Sequence, residues 1–584
     1  MLRFFIGLIF LCGLGFSVAA QDTLHHPGAD SVSIVNQLHS DRLRFQKVDS
    51  VTQLQMFAGA VVLQQDNTKF YCDSAVINKH NNILEAFGNV HINDADSIQI
   101  YSDYLVYHID TKIAVLRKKV KLTDGKGVLT TDELTYDTKA KTGVYNTGGK
   151  IVNGTTTITS KEATYYGDLK DVYFKKDVKL RDPKTNVDTD SLLYNTVSKI
   201  ATFITTTYIK DSSGANIVTK EGTYDMQSKR STFGKRAVIK DGKGVTVTGD
   251  DIFNDDSTGQ TTIRGNAVYI DTVQKISVLS NSFFVDKKKK TFLATQHPLM
   301  IIQQDKDSVY ITADTLFSGR IADLRDSAYQ ELHRDSKDTI KNTAVVPKND
   351  SLKSKFAVFT KDTIKNTVII TTKDTSDTRF FQCYHHVRIF SDSLQSVCDS
   401  MFYSARDSVF RLFTNPIVWA SGSQITGDTI YLFTKDNKAE RMYAFENGFA
   451  INKSGENMYN QISGKTINGY FKDGEIDYMR SKGSPAQSIY YIKDEDDAVV
   501  GVNTATGDVI DMRFANKELK KVVFVRDVAG TMYPFKQTPE DKKLLRNFKW
   551  QDKKRPKSKF ELFEDPKPED PAPDTEIKKT EILK

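Results

Sequence analysis

Several sets of residues in this 584-residue chain are of types that could do chemistry. The largest is a series of aspartates: Asp41, Asp73, Asp103, Asp132, Asp190, Asp250, Asp314, Asp399, Asp428 and Asp508, each preceded by a small residue. Carboxylates repeated in this way could ligate a metal or work as paired acids. The same place in other copies holds Lys161, Lys220, Asn281 and Lys465, which a ligand ladder would not tolerate. The series therefore reads as structural corners, the carboxylates accepting hydrogen bonds from nearby backbone amides. A tyrosine series (Tyr107, Tyr136, Tyr165, Tyr194, Tyr224) could stack on bases or sugars, but its regular place on one strand face points to core filling or trough lining. His385 and His386 are adjacent, so in a strand they face opposite sides and cannot share a metal. Cys72, Cys383 and Cys398 lie beyond the first twenty residues; Cys383 and Cys398 could pair across strands or remain buried thiols. Without a CxxC, zinc ligation has nothing to rest on. The basic residues between Lys542 and Lys559 could touch phosphates or form a solvated tail. No nucleophile elbow, phosphate loop or HExxH occurs, and no cofactor is implied.

What positions these residues is a repeat. Ser102-Asp103-Tyr104-Leu105-Val106-Tyr107, Thr131-Asp132-Glu133-Leu134-Thr135-Tyr136 and Thr189-Asp190-Ser191-Leu192-Leu193-Tyr194 share one unit: small residue, Asp, apolar third place, aromatic fifth place. From Cys72 to Ser280 the unit recurs every 29 to 31 residues, and about fourteen copies extend to Gly507. Two residues before the small one stand Ile100, Leu129, Ile158, Val187 and Ile217. Apolar residues alternate within each arm, so each arm is a strand with one face inward. Across the Asp the inward places are three apart instead of two, which means a bulge or corner with the same face kept inside. A second strand separates successive corners, as in Val115–Leu122 and Val172–Leu180. The expectation is two long strands per unit, each in one of two facing sheets. The fold class is all-β: an elongated half-open jellyroll, or a solenoid-like stack of two facing sheets.

Residues 1–20 have the form of a cleaved secretory leader: Arg3, a short apolar run, then Val18-Ala19-Ala20 before Gln21. Repeats occupy 35–321 and 377–533. Between them 322–376 is a polar insertion with a duplicated heptapeptide, Lys337–Thr343 and Lys361–Thr367. Residues 534–584 turn to Lys, Glu, Asp and Pro and read as a disordered tail. The chain holds 81 Lys/Arg against 74 Asp/Glu, a formal net charge of +7. That excess is too small and too evenly spread to point to nucleic acid.

The small-Asp-x-apolar-x-aromatic units, alternating with Gly88-Asn89-Val90 and Gly265-Asn266-Ala267-Val268, resemble the OstA-type repeat of the LptA family of periplasmic lipopolysaccharide-transport proteins. The resemblance implies a periplasmic bridge whose apolar interior takes the acyl chains of lipid A. The groove-lining residues would be Ile100, Leu105, Tyr107, Leu129, Leu134, Tyr136, Ile158, Tyr165, Val187, Leu192, Tyr194, Ile217 and Tyr224. A stack of this kind ends in two unpaired edges, near Ser40 and Ile510, which are expected to dock on other Lpt-type envelope proteins or head-to-tail on other copies, and no enzymatic activity is expected. The chain departs from the family in its longer period, its polar insertion and its length. A solenoid carbohydrate-active enzyme and an extracellular adhesin are the alternatives.

Overall fold

The computed structural model describes residues 34–303, 308–325, 378–435, 438–472, 475–515 and 518–564. The leader at 1–20 and nearly all of the insertion at 322–376 lie outside the described residues, as do residues 565–584. The described residues form forty β-strands and five short 3-10 turns, with no α-helix. The all-β expectation is borne out, as alternating β-branched and aromatic residues dictate. Two compact units divide at Thr147/Gly148.

Sequence neighbours pair antiparallel. In the first unit Ile98–His108 lies between Ile83–Asp94 and Ile113–Thr123, and each pairing has one break in register. On one strand the break falls at the small-Asp unit, Ser102-Asp103. On its neighbours it falls at two consecutive left-handed residues, Gly88-Asn89 (φ 69° and 45°) and Lys118-Lys119 (φ 66° and 52°). Two positive φ values in succession turn the backbone through a corner, while Ile100 before it and Leu105 after it both stay fully buried. Each long strand therefore gives one arm to each of two facing sheets. This corrects the assignment of one whole strand to one sheet, because the extra residue redirects the strand itself. The sheets face closely: Phe70 before one corner meets Tyr107 beyond another at 4.6 Å between ring centroids. The second unit repeats the device, Tyr269 lying 5.0 Å from Phe292 of the opposite sheet.

The strand Thr315–Arg320 pairs directly with Arg379–Phe390. The chain thus leaves and re-enters the sheet side by side, with Ile321 N–H donating to Thr378 O at 2.9 Å.

The tail departs from expectation. Residues 534–564, expected to be disordered, lie in an extended, turn-broken path along the outer face of one sheet. In that sheet the row Ser396, Val418, Ile425, Ala450, Ile462 points inward, so the alternating row Gln395, Trp419, Gln424, Ile451, Gln461 points outward. The outward row is nevertheless buried, Trp419 at 1 % exposure, because the tail covers it. Gln461 Nε2 donates to Lys543 O at 2.9 Å while its Oε1 accepts from Leu545 N at 2.8 Å. Gln424 does the same with Lys549 O and Gln551 N, both at 2.7 Å. Gln395 Oε1 accepts from Arg555 Nε, and Thr312 Oγ1 donates to Leu562 O. Phe535 and Leu545 pack on Ile489, Tyr491 and Val502, and Phe548 and Trp550 on Tyr459. A carboxamide that donates and accepts two residues apart mimics a neighbouring strand, and so holds a polar segment that has no sheet partner of its own.

Candidate functional site

In each unit the candidate site is the interior between its two sheets. In the first unit Ile100, Leu105, Tyr107, Leu129, Leu134 and Tyr136 all face it and are buried. In the second, Ile158, Tyr165, Val187, Leu192, Tyr194 and Tyr224 do so as well, and Ile217 is half-buried. These side chains interdigitate with those of the facing sheet rather than lining an open trough.

At the free ends of the arms, away from the corners, tyrosine hydroxyls latch one sheet to the other. Tyr107 Oη donates to Gln65 Oε1, whose Nε2 in turn donates to Ile109 O. Tyr136 Oη donates to Asp94 Oδ2 at 2.6 Å, and Thr68 Oγ1 donates to the other oxygen of the same buried carboxylate at 2.9 Å. Burial pushes the Tyr107 and Tyr194 hydroxyls up to about 12, and the Tyr194 hydroxyl has no hydrogen-bond partner among the described residues. Tyr269 is also pushed up to about 12 by burial. All three stay protonated, but of them Tyr107 alone latches the sheets, since Tyr269 Oη reaches only Asp271 of its own strand at 3.5 Å.

Asp73, Asp103, Asp132, Asp190, Asp250, Asp314, Asp399 and Asp428 sit at the register breaks, on the outside of the bend. The backbone N–H groups of Asp250, Asp314, Asp399 and Asp428 donate across the corner, to Gly265 O, His385 O, Thr414 O and Phe445 O respectively. The carboxylates accept mainly from side chains, not from the backbone amides expected. Asn89 donates to Asp73 at 2.9 Å, Asn266 to Asp250 at 2.7 Å and Asn447 to Asp428 at 3.0 Å, while Lys119 pairs with Asp103 at 3.2 Å. A Cβ on Gly88 would stand 2.3 Å from Asp73 Oδ2, and one on Gly265 would stand 2.6 Å from Asp250 Oδ2. Positive φ and the seated carboxylate together require glycine there. His385 and His386 occupy one such corner, both left-handed, with Asp399 at 3.1 Å and Asp314 at 2.8 Å respectively. The Ser400 hydroxyl, then His385, hold the Asp399 carboxyl below its usual range. Among the described residues no cluster of three or more His, Cys, Asp or Glu could hold a metal. Cys72, Cys383 and Cys398 are buried free thiols, and desolvation pushes Cys72 and Cys383 up to about 12. Cys383 stands opposite Met401 and Cys398 opposite Val387, so the pair is out of register for a bridge.

Open space lies elsewhere, in the last repeats of the second unit. A cavity of about 260 Å³ separates the sheets between Ser423 and Phe524. Ile462, Met479, Met512, Phe514, Val522 and Phe524 supply apolar wall, and Asn452, Asn460, Asn503 and Ser488 the polar part; no ionisable side chain except Tyr490 borders it. Such a lining accepts an aliphatic chain and a neutral polar group, and gives a charged group no partner. None of the residues expected to line a groove, from Ile100 to Tyr224, borders this cavity. The available signals were strand length, since Lys438–Gly455, Glu475–Lys493 and Val499–Ala515 are the longest strands, and Asn, Ser and Met at inward places.

Comparison with known proteins bears on the repeat itself. Residues 32–190 and 176–250 match the model of the OstA-like protein family, so the resemblance read from the repeat is borne out over that part of the chain. Among solved structures, the crystal structure of LptH from Pseudomonas aeruginosa is similar at 17 % identity. LptH is described as the LptA-homologous periplasmic component of a lipopolysaccharide transport device. The match covers 19 % of this chain and 81 % of that one, with a TM-score of 0.17. No curated protein matches.

Proposed function

We propose that this chain is a non-enzymatic periplasmic bridge that shelters the acyl chains of lipopolysaccharide between the inner and outer membranes. The observation that carries the reading is the predominantly apolar interior of the repeats, together with a cavity in the second unit bordered by no carboxylate, amine or guanidinium. Each methylene withdrawn from water contributes about 0.8 kcal/mol. A lipid with several chains therefore needs a continuous apolar path, and a protein offering one supplies no chemistry of its own. The tyrosine latches hold the repeats of the first unit shut, and lipid passes there as the latches part; in the second unit the cavity receives it. Uncapped edges serve as joints. The first unit starts with Asn36–His39 and Arg42–Lys47, fully exposed and paired only to Gln53–Gln65 among the described residues. The second ends with Glu518–Val525 and Ala529–Pro534, paired only to Val499–Ala515 among the described residues. An unpaired edge accepts a further strand, from another Lpt-type protein or a second copy head to tail.

Chain purified without detergent from a Gram-negative envelope should release glycolipid on solvent extraction, and the emptied protein should take up added lipopolysaccharide. Protein that carries none and takes up none contradicts the reading.

A further inference from the structure

The covering segment 534–564 does more than fill a face. It holds ten Lys/Arg against five Asp/Glu, a net +5 in a chain whose total is +7. Its inward residues, Phe535, Leu545, Trp550 and Leu562, are at least half-buried against the sheet. Many of the residues between them, though not Thr538, Phe548 or Pro556, face solvent. Lys536, Arg546 and Lys549 are exposed and make no ion pair among the described residues. Set among these cations are exposed apolar side chains: Phe560 is 78 % exposed, Phe563 49 % and Leu544 44 %. The His297 ring meets Phe563 edge-on, and the Lys559 ammonium lies over Phe560. Exposed aromatic and aliphatic residues flanked by lysines make the combination that settles in the headgroup layer of an anionic bilayer. The glutamine clamps fix the segment to a rigid sheet, so the cations are displayed without an ordering cost at contact.

We infer that the outer face of segment 534–564 docks the protein on an anionic membrane surface. The cations meet lipid phosphates, and Phe560, Phe563 and Leu544 enter the interfacial layer. This does not rest on the lipid-carrying reading, since none of these residues borders the cavity. Charge complementarity selects an anionic bilayer over an acidic protein, because a protein partner would leave the isolated phenylalanines without a matching apolar pocket.

The test is flotation of the chain with vesicles of phosphatidylglycerol and phosphatidylethanolamine, with pure phosphatidylcholine vesicles as the neutral control. The chain should float with the anionic vesicles at low salt, stay down with the neutral ones, and release at 0.5 M salt. Lys536→Gln/Arg546→Gln/Lys549→Gln should weaken partitioning roughly a hundredfold, about fivefold per cation. Phe560→Ser/Phe563→Ser should weaken it at every salt concentration. Unchanged thermal melting and unchanged lipopolysaccharide uptake would show that these variants keep fold and cavity. Failure of the wild-type chain to float, equal flotation with neutral vesicles, or undiminished flotation of the triple variant overturns the inference.

Discussion

The tyrosine hydroxyls and the corner aspartates divide the labour of the repeat, and magnitudes separate them. Tyr107, Tyr194 and Tyr269 have folded values near 12 against an ordinary value of about 10. Below pH 10 they are neutral whether the chain is folded or not, and stability is unaffected. As pH rises from 10 towards 12 the unfolded chain loses these protons while the folded one keeps them, so stability falls across that window. Urea midpoints should be flat to pH 10 and drop above it, and Tyr107→Phe should make the drop shallower. Leu192, fully buried, is a heavier element: Leu192→Ala should cost about 2–5 kcal/mol and Leu192→Asp more, since no partner awaits the charge. Asp103→Ala removes only an exposed pair with Lys119, worth under about 1 kcal/mol. A midpoint loss for Asp103→Ala as large as for Leu192→Ala would contradict this ranking.

At the scale of elements, the corner and the covering segment differ in how they are specified. A corner is local: a small residue, Asp and an apolar third place on one strand, with Gly-Asn or two other left-handed residues on the next. Its signature was therefore legible in a single strand's sequence. What the spacing could not show was that the bend sends each strand into both sheets, because alternation counts inward places and not which sheet receives them. The segment 534–564 is specified from far away, its partners Gln461, Gln424 and Gln395 lying 82 to 160 residues upstream. Its solvent side is cationic and its buried residues are irregularly spaced, so composition alone imitates disorder. Gln424→Ala/Gln461→Ala removes the four side-chain hydrogen bonds these glutamines make to the segment, each worth about 0.5–1.5 kcal/mol. Limited proteolysis should then cut within 534–564 while the strands remain resistant. Equal resistance in mutant and wild type would show that the clamps do not hold the segment.

For the whole molecule, the repeat made the apolar interior legible, but not its openness. Whether facing side chains interlock or leave a gap depends on the distance between sheets, which alternation does not encode. Thus Leu105 and Leu192 face inward but are sealed, whereas Met479 and Met512, unremarkable in the sequence, border the space. The most direct test of the central claim places a photo-crosslinking amino acid at Met512 inside the cavity and at Glu133 on the outer surface. Irradiation in envelopes should attach lipopolysaccharide at 512 and leave 133 unlabelled. Labelling at 133 alone, or at neither position, would contradict an interior that carries lipid.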